Sequence, residues 1–184
     1  MSPCLALVGG GARSGKSRFA LARTRALGER RVFLATAEAL DGEMAARIDR
    51  HVIERGADFT TVEEPRQLAS AVAAAGRSAD VVLIDCLTLW LSNLLVDGLG
   101  EAEIERRMEE LAAVLAARTC HVVVVSNEVG LGIVPADPLA RSFRDLTGRA
   151  HQVLAGIADE LYLAVMGVVL RLRPDPVAVV VVDA

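Results

Sequence analysis

The sequence predicts an α/β fold in which a mostly parallel sheet is flanked by helices. Apolar runs alternate with amphipathic stretches along the whole chain, as strands alternate with crossover helices in such folds. The strand-like runs are rich in consecutive β-branched residues rather than alternating with polar ones, which indicates burial on both faces. A chain of 184 residues without a low-complexity linker suits one domain, so residues 1–184 are expected to form a single domain.

Each strand is expected where β-branched and apolar residues follow one another. Strands are predicted at Leu5–Gly9, Arg31–Ala35, Phe59–Val62, Asp80–Asp85, His121–Ser126, Leu161–Met166 and Val177–Val182. The segment Arg171–Pro176 contains two prolines and is expected to break the chain before the last strand. We therefore expect the C-terminal residues 168–184 to form an edge strand or a subunit contact.

Helices are expected where apolar residues recur every three or four positions. They are predicted at Lys16–Leu27, Gly42–Arg55, Gln67–Ala75, Leu87–Val96, Glu101–Arg118, and from Pro138 to about Ala158. Met44, Ile48 and Val52 form one apolar stripe on the second of these helices. Asp137 followed by Pro138 is typical of a helix start, with an N-cap before a proline in the first turn.

Composition excludes several classes of protein. The net charge is −4 and the arginines are scattered among 24 acidic residues, so a nucleic acid partner is not expected. No apolar run approaches the roughly 18–20 residues that span a bilayer, and the N-terminus lacks the basic region of a signal peptide. Three cysteines, Cys4, Cys86 and Cys120, lie in or beside apolar runs without metal-binding spacing. They are expected to be buried thiols in a cytoplasmic protein.

A phosphate-binding loop is predicted between the first strand and the first helix. The eight residues from Gly10 to Ser17 fit the pattern G-x-x-x-x-G-K-[ST] in the strand–loop–helix context that such loops require. Lys16 is the only lysine among 20 basic residues, and its ammonium is expected to reach the β- and γ-phosphates. A dinucleotide-binding loop is disfavoured, because it has no use for a lysine and a serine at these positions. The chain is therefore predicted to be a P-loop NTPase-like protein of the RecA-like type.

Asp85 is the second candidate for nucleotide chemistry. It ends an apolar strand, as the acidic residue that orients Mg²⁺ does in P-loop proteins, so Ser17 and Asp85 are predicted to hold Mg²⁺. The alternative is that Asp85 only caps the following helix. The presence of the phosphate loop favours the metal-linked role.

Three histidines occur, at positions 51, 121 and 151. His121 opens a strand and is expected to be structural or on the surface, and His151 lies in the middle of a predicted helix. His51 lies four residues after Arg47, so the two side chains share one helix face. A neutral imidazole beside a phosphate-binding guanidinium could attack phosphorus. On spacing alone, an ordinary surface histidine is the favoured interpretation of this position.

Several longer motifs resemble one enzyme family. They are the phosphate loop, the segment from Asp41 to Ile48 followed by His51, the segment Asn127–Pro135, and the run from Arg141 to Gln152. The sequence resembles the bifunctional adenosylcobinamide kinase / adenosylcobinamide-phosphate guanylyltransferase of cobalamin biosynthesis. The likeness runs nearly end to end, except over residues 168–184. In this family some members carry histidine where this chain has Arg50, and glutamate where it has Asp85.

The resemblance implies two reactions. ATP or GTP phosphorylates a hydroxyl of adenosylcobinamide, and GTP then guanylylates a histidine that passes GMP to the phosphorylated substrate. That histidine matches His51, and the resemblance also implies a homotrimer. The nucleotide contacts that the resemblance implies are Gly10, Gly11, Ala12, Arg13, Ser14, Gly15, Lys16, Ser17, Ala35, Thr36, Ala37, Val52, Ile53, Glu54, Arg55, Glu63 and Asp85.

The glycine-containing segment Asn127–Pro135 follows a buried strand, on the ligand side of a parallel sheet. Asn127 and Glu128, together with Arg47, are therefore candidates for contact with adenosylcobinamide phosphate, although a tight turn with a capping role is an alternative. Two other functions remain open at this point. One is a kinase for another small alcohol, which would not need His51. The other is a nucleotide-dependent switch or assembly ATPase, which would not turn over a cobinamide.

Overall fold

A computed structural model describes residues 2–38, 42, 52–53, 55–175 and 179–181 of the chain. These residues form one sheet of eight strands. The strands are β1 (Leu5–Gly10), β2 (Arg31–Ala35), β3 (Thr60–Glu63), β4 (Val81–Asp85), β5 (His121–Asn127), β6 (Glu160–Val165), β7 (Val168–Arg173) and β8 (Val179–Val181). The described helices are α1 (Lys16–Leu27), α2 (Leu68–Ala75), α3 (Leu87–Val96), α4 (Glu101–Ala116) and α5 (Pro138–Ile157).

The sheet is mostly parallel, as the continuous apolar strands predicted. The strand order is β3-β2-β4-β5-β1-β6-β7-β8, and every pairing from β3 to β6 is parallel. Only β7 and β8 run antiparallel to their neighbours. The predicted α/β fold is therefore confirmed, and the carboxyl ends of six parallel strands lie along one edge.

Two apolar cores cover the two faces of this sheet. The larger core joins strand residues such as Leu5 and Val124 to helices α2 to α5, and Trp90 is its largest fully buried side chain. The second core packs Phe19 and Leu21 of α1 against the other face. Burial on both faces explains why the central strands contain consecutive valines and leucines.

Most helices and strands begin and end within two residues of the boundaries predicted from the sequence. Asp137 caps α5 as expected, because its carboxylate accepts a hydrogen bond from the Ala140 amide at 2.9 Å. The helix predicted at Gly42–Arg55 falls mostly outside the described residues, as do both ends of the strand predicted at Val177–Val182.

The C-terminal hairpin corrects the sequence prediction. The sequence predicts a break at Arg171–Pro176, whereas β7 continues to Arg173 and pairs with β6. The turn between the two strands consists of Met166 and Gly167, both with positive φ (52° and 82°). Such turns usually carry Asn-Gly or Asp-Gly, and Met-Gly lacks that signal.

Two further expectations are tested by the fold. Cys86 and Cys120 are buried free thiols as expected, whereas Cys4 is only half-buried because it precedes β1. None of the helices that the structure describes has the length and apolar character needed to cross a membrane.

Candidate nucleotide-binding site

The phosphate loop connects β1 to α1, as the motif predicted. Gly15 forms the N-cap of α1 with φ at 93°, in the left-handed region that favours glycine. At Gly10 an added Cβ would lie 2.6 Å from the Ala164 carbonyl oxygen and 2.7 Å from Ser14 Oγ. The loop therefore packs against β6 so closely that only glycine fits at position 10. Its backbone amides and the N-terminus of α1 can bind the oxygens of a phosphate.

Lys16 and Ser14 give the loop its polar interior. Lys16 is only 7% exposed, and its Nζ donates a hydrogen bond to the Gly11 carbonyl oxygen at 3.0 Å. The hydroxyl of Ser14 is buried and has no hydrogen-bond partner among the residues that the structure describes. A buried hydroxyl without a partner is unfavourable unless a ligand supplies one. These groups fit a phosphate bound inside the loop.

Two side chains at this site, Ser17 and Asp85, carry oxygen atoms that could be ligands of Mg²⁺. Ser17 lies in the first turn of α1, and Asp85 is the half-buried last residue of β4. Mg²⁺ typically takes one or two protein oxygens and completes its shell with phosphates and water. The donor set therefore fits Mg²⁺ carried by a nucleoside triphosphate. Within the described residues no group of three or more His, Cys, Asp or Glu forms a separate metal site.

The strand register brings the predicted residues to one edge of the sheet. Ala35 of β2 pairs with both Glu63 of β3 and Asp85 of β4. Gly10 of β1 pairs with Asn127 of β5. All five residues lie at carboxyl ends of parallel strands, where α/β sheets bind their ligands.

Thr36 holds the chain beside Asp85. Its hydroxyl is fully buried, donates to the Cys86 carbonyl at 2.8 Å and accepts from the Cys86 amide at 2.8 Å. The Asn93 amide group donates to the Thr36 carbonyl at 2.8 Å. The Thr36 side chain therefore positions the segment after Asp85, a role that the sequence did not indicate.

Arg55 contributes a buried positive charge near the same edge. Its guanidinium lies 4.1 Å from the centre of the Phe33 ring, and the residue is 6% exposed. Burial lowers the pKa of Arg55, whereas the nearby carboxylates of Asp85 and Glu63 raise it. The Arg55 guanidinium therefore interacts electrostatically with both acidic residues at this edge of the sheet.

The structure describes some of the remaining predicted site residues and not others. Ala37 is half-buried after β2, and Val52 and Ile53 are exposed. His51, Arg47 and Glu54 lie outside the described residues. In the phosphate loop, Ala12 and Arg13 are exposed on its outer side.

The structure also shows a side-chain network that the sequence did not predict. Ser126 Oγ lies 2.7 Å from His151 Nε2, and His151 Nδ1 lies 3.6 Å from a carboxylate oxygen of Glu128. Beside it, the Asn127 amide group donates to the Thr88 hydroxyl at 2.9 Å. The only signal in the sequence was a polar histidine on an amphipathic helix, and nothing in its spacing points to Ser126.

A comparison with protein-family models decides the family. Residues 6–172 match the model described as "Cobinamide kinase / cobinamide phosphate guanyltransferase". The chain belongs to this family. The resemblance drawn from its motifs is thereby confirmed, as are the enzyme class and the pair of reactions that the family name states.

Characterised members of the cobinamide kinase / guanyltransferase family are similar over almost the whole chain. The bifunctional adenosylcobalamin biosynthesis protein CobU of Salmonella typhimurium is 41% identical over 91% of this chain and 98% of its own length. The protein CobP of Pseudomonas aeruginosa, with the same description, is 40% identical over 92% of this chain and 98% of its own.

Solved structures support the predicted RecA-like fold. The crystal structure of the RadB recombinase has a TM-score of 0.56 to this chain, covering 97% of it and 87% of the recombinase, at 16% identity. At that identity the likeness concerns the fold alone.

Proposed function

We propose that this protein phosphorylates adenosylcobinamide with ATP or GTP and then transfers GMP from GTP to the product, giving adenosylcobinamide-GDP and pyrophosphate. The family assignment supports the two reactions. The observation that carries the proposal in this chain is the phosphate loop, with buried Lys16 and the unpartnered Ser14 hydroxyl inside it.

In the phosphoryl step, the loop binds the triphosphate and orients its γ-phosphate toward the substrate hydroxyl. Lys16 and the N-terminus of α1 stabilise the charge that spreads over the phosphate oxygens. Mg²⁺, held by Ser17 and Asp85, would neutralise charge on the β- and γ-phosphates. The remaining nucleotide contacts are proposed at Gly10–Gly15, Ala35–Ala37, Val52–Arg55 and Glu63.

In the guanylyl step, His51 attacks the α-phosphorus of GTP and pyrophosphate leaves. The substrate phosphate then displaces the imidazole and takes GMP, so one difficult transfer becomes two displacements. Arg47, four residues before His51 in the sequence, is proposed to bind a phosphate and to favour the neutral ring. Asn127 and Glu128 are proposed to contact adenosylcobinamide or its phosphate from the carboxyl end of β5.

The experiment that tests this proposal is incubation with α-labelled GTP and Mg²⁺. The wild-type protein should acquire a label that is released by acid and stable to alkali, and His51→Ala should acquire none. The same variant should still phosphorylate adenosylcobinamide, because that step does not use the imidazole. An unlabelled wild-type protein that phosphorylates a small alcohol would instead be a monofunctional kinase. Nucleotide binding without any phosphorylation of cobinamide would indicate a switch or assembly ATPase.

The organisation of the protein is part of the proposal. We propose one domain over residues 1–184, a homotrimer in solution and a cytoplasmic location. The single sheet that joins β1 to β8 supports one domain. Sedimentation equilibrium would test the trimer, since a monomeric mass would contradict it.

A further inference from the structure

Glu128 lies beside the first glycine of the phosphate loop. It follows directly after β5, whose last residue Asn127 is paired with Gly10. The Glu128 amide donates to the Gly10 carbonyl at 3.0 Å, so its backbone is fixed to the loop. One carboxylate oxygen accepts a hydrogen bond from the Gly130 amide at 2.5 Å. The side chain is 26% exposed and can still reach a ligand.

His151 faces the second oxygen of this carboxylate. It reaches Glu128 from the middle of α5, with Nδ1 3.6 Å from the carboxylate and Nε2 2.7 Å from Ser126 Oγ. Ser126 is 0% exposed, so its hydroxyl has to find its partners inside the protein. When this hydroxyl donates to Nε2, the single proton of the neutral ring is on Nδ1 and points toward Glu128. Burial lowers the pKa of His151 and so favours the neutral ring, although Glu128 opposes this shift.

This chain of groups resembles a Ser-His-Glu triad, but it is not suited to a nucleophilic serine. Ser126 is completely buried on a central strand and no substrate can reach it. The partly exposed group of the network is the carboxylate at its opposite end, which follows the strand end paired with Gly10. The network is therefore arranged to orient Glu128, with the serine as its anchor.

The proposed phosphoryl step needs a group that accepts a proton. The substrate hydroxyl loses its proton as its oxygen bonds to the γ-phosphorus, and a positioned carboxylate accepts such protons in other kinases. The other described carboxylates after these strands are engaged or more distant in the sheet. Glu38 is paired with Arg66, Glu64 accepts hydrogen bonds from the Arg66 and Gln67 amides, and Asp85 is assigned to Mg²⁺. Glu63 lies on β3 at the far edge of the sheet.

We propose that Glu128 is the catalytic base of the phosphoryl step and that His151 and Ser126 are the positioning residues that hold it. The substrate oxygen attacks the γ-phosphorus, and the bond to the bridging oxygen of the β-phosphate breaks. The nucleoside diphosphate leaves with that electron pair, while the substrate proton moves to the Glu128 carboxylate and then to water after product release. This inference rests on the proposed kinase function, and it assigns no role to Glu128 in the guanylylation of His51.

The test measures both partial reactions on the same variants. Glu128→Gln should lower kcat for phosphorylation about 10²-fold or more, the usual contribution of a general base, with a smaller change in KM. The rate of labelling by α-labelled GTP should fall by a smaller factor than kcat for phosphorylation, because labelling removes no proton from a substrate hydroxyl. Equal kcat values for Glu128→Gln and wild type would overturn the inference. A wild-type protein that phosphorylates no cobinamide would overturn the proposed function instead.

A pair of His151 variants separates positioning from simple packing. An asparagine amide lies where Nδ1 lies and keeps a donor toward Glu128, whereas a glutamine amide reaches the position of Nε2 and keeps the Ser126 contact. We expect His151→Asn to retain about ten-fold more phosphorylation kcat than His151→Gln, since one oriented hydrogen bond to a charged group contributes roughly that factor. Equal activity of the two folded variants, or higher activity of His151→Gln, would contradict a positioning role. If either variant does not fold, Glu128→Gln still decides the proposal.

Discussion

The phosphate loop and the Glu128–His151–Ser126 network lie side by side at the same sheet edge, but they are built differently. The loop spans eight consecutive residues, and its binding groups are backbone amides and one lysine. The network joins side chains 25 positions apart, from a strand and a distant helix. A site made by consecutive backbone can be seen in the sequence, whereas a site made by side chains from separate elements appears only in the fold.

Substitution of Lys16 should have the largest effect, because it removes a charge that both reactions use. Lys16→Ala and Lys16→Arg should each lower the rates of phosphorylation and of self-guanylylation about 10²-fold or more. The planar guanidinium of arginine cannot take the place of a slim ammonium in this buried position. Rates of both reactions and the circular dichroism spectrum would be measured. Full activity of Lys16→Arg would contradict this account of the loop, and loss of phosphorylation alone would contradict a shared nucleotide site.

Gly10→Ala should distort the phosphate loop without removing any of its polar side chains. The new Cβ would lie 2.6 Å from the Ala164 carbonyl, so β1 and β6 must separate or the loop must shift. Overpacking of this kind costs about 1–3 kcal/mol, and we expect a lower Tm and weaker GTP binding. Gly11→Ala is the matched control, because a Cβ there meets nothing within 4 Å. Similar Tm values for the two variants would show that close packing at Gly10 is not needed.

Thr36→Val should test a side-chain contact behind the site. It removes the hydroxyl that binds both the carbonyl and the amide of Cys86. The buried amide then loses this acceptor, whereas the carbonyl still accepts from the Trp90 amide at 3.2 Å. The expected loss is about 1–3 kcal/mol of the free energy of unfolding, measured by urea denaturation. Thr36→Ser keeps the hydroxyl and should lose less than Thr36→Val. An equal loss in both variants would show that the hydroxyl contributes no more to stability than the methyl group, and would contradict this role.

Asp80 precedes β4, at the edge of the sheet opposite the candidate site. Its substitution should lower the stability of the protein only slightly. Hydrogen bonds from the Arg30 side chain and from the Arg30 and Glu29 amides lower its pKa to about 2. Its contribution to stability is therefore complete above the ordinary value of 3.8 and is lost as the pH falls through about 2.

The measurement is the Tm of Asp80→Asn and of wild type as a function of pH. The wild type should have the higher Tm near neutral pH, and the difference should shrink as the pH falls toward 2. Asp145→Asn serves as the control, because Asp145 is exposed and its ion pair with Arg144 lies on the surface, where such a pair contributes little to stability. A difference that does not change with pH would contradict the lowered pKa of Asp80.

The sequence predicted those parts of the fold that depend on local pattern. Continuous valines indicated the parallel strands β4 and β5, and the Asp-Pro pair indicated the start of α5. The prediction failed at β7, because the Met166–Gly167 turn lacks the usual residues and because two prolines in Arg171–Pro176 suggested an earlier break.

For the site, the sequence predicted positions but not contacts. The phosphate-loop motif and the ends of the apolar runs were enough to assign Lys16, Asp85 and Asn127 to the ligand-binding edge of the sheet. The contacts of the Thr36 hydroxyl with Cys86, and of His151 with Ser126, could not be predicted. They depend on how β2, β5 and α5 pack together. No spacing along the chain encodes such distances.

The central claim is that one protein carries out two successive transfers on the same substrate. It is tested most directly by following adenosylcobinamide in the presence of the wild-type protein, GTP and Mg²⁺, with mass spectrometry of the corrinoid over time. We expect a product heavier by one phosphoryl group to appear first, followed by its conversion to the GDP-linked form with release of pyrophosphate. Accumulation of the phosphate alone, or an unchanged corrinoid, would contradict the claim.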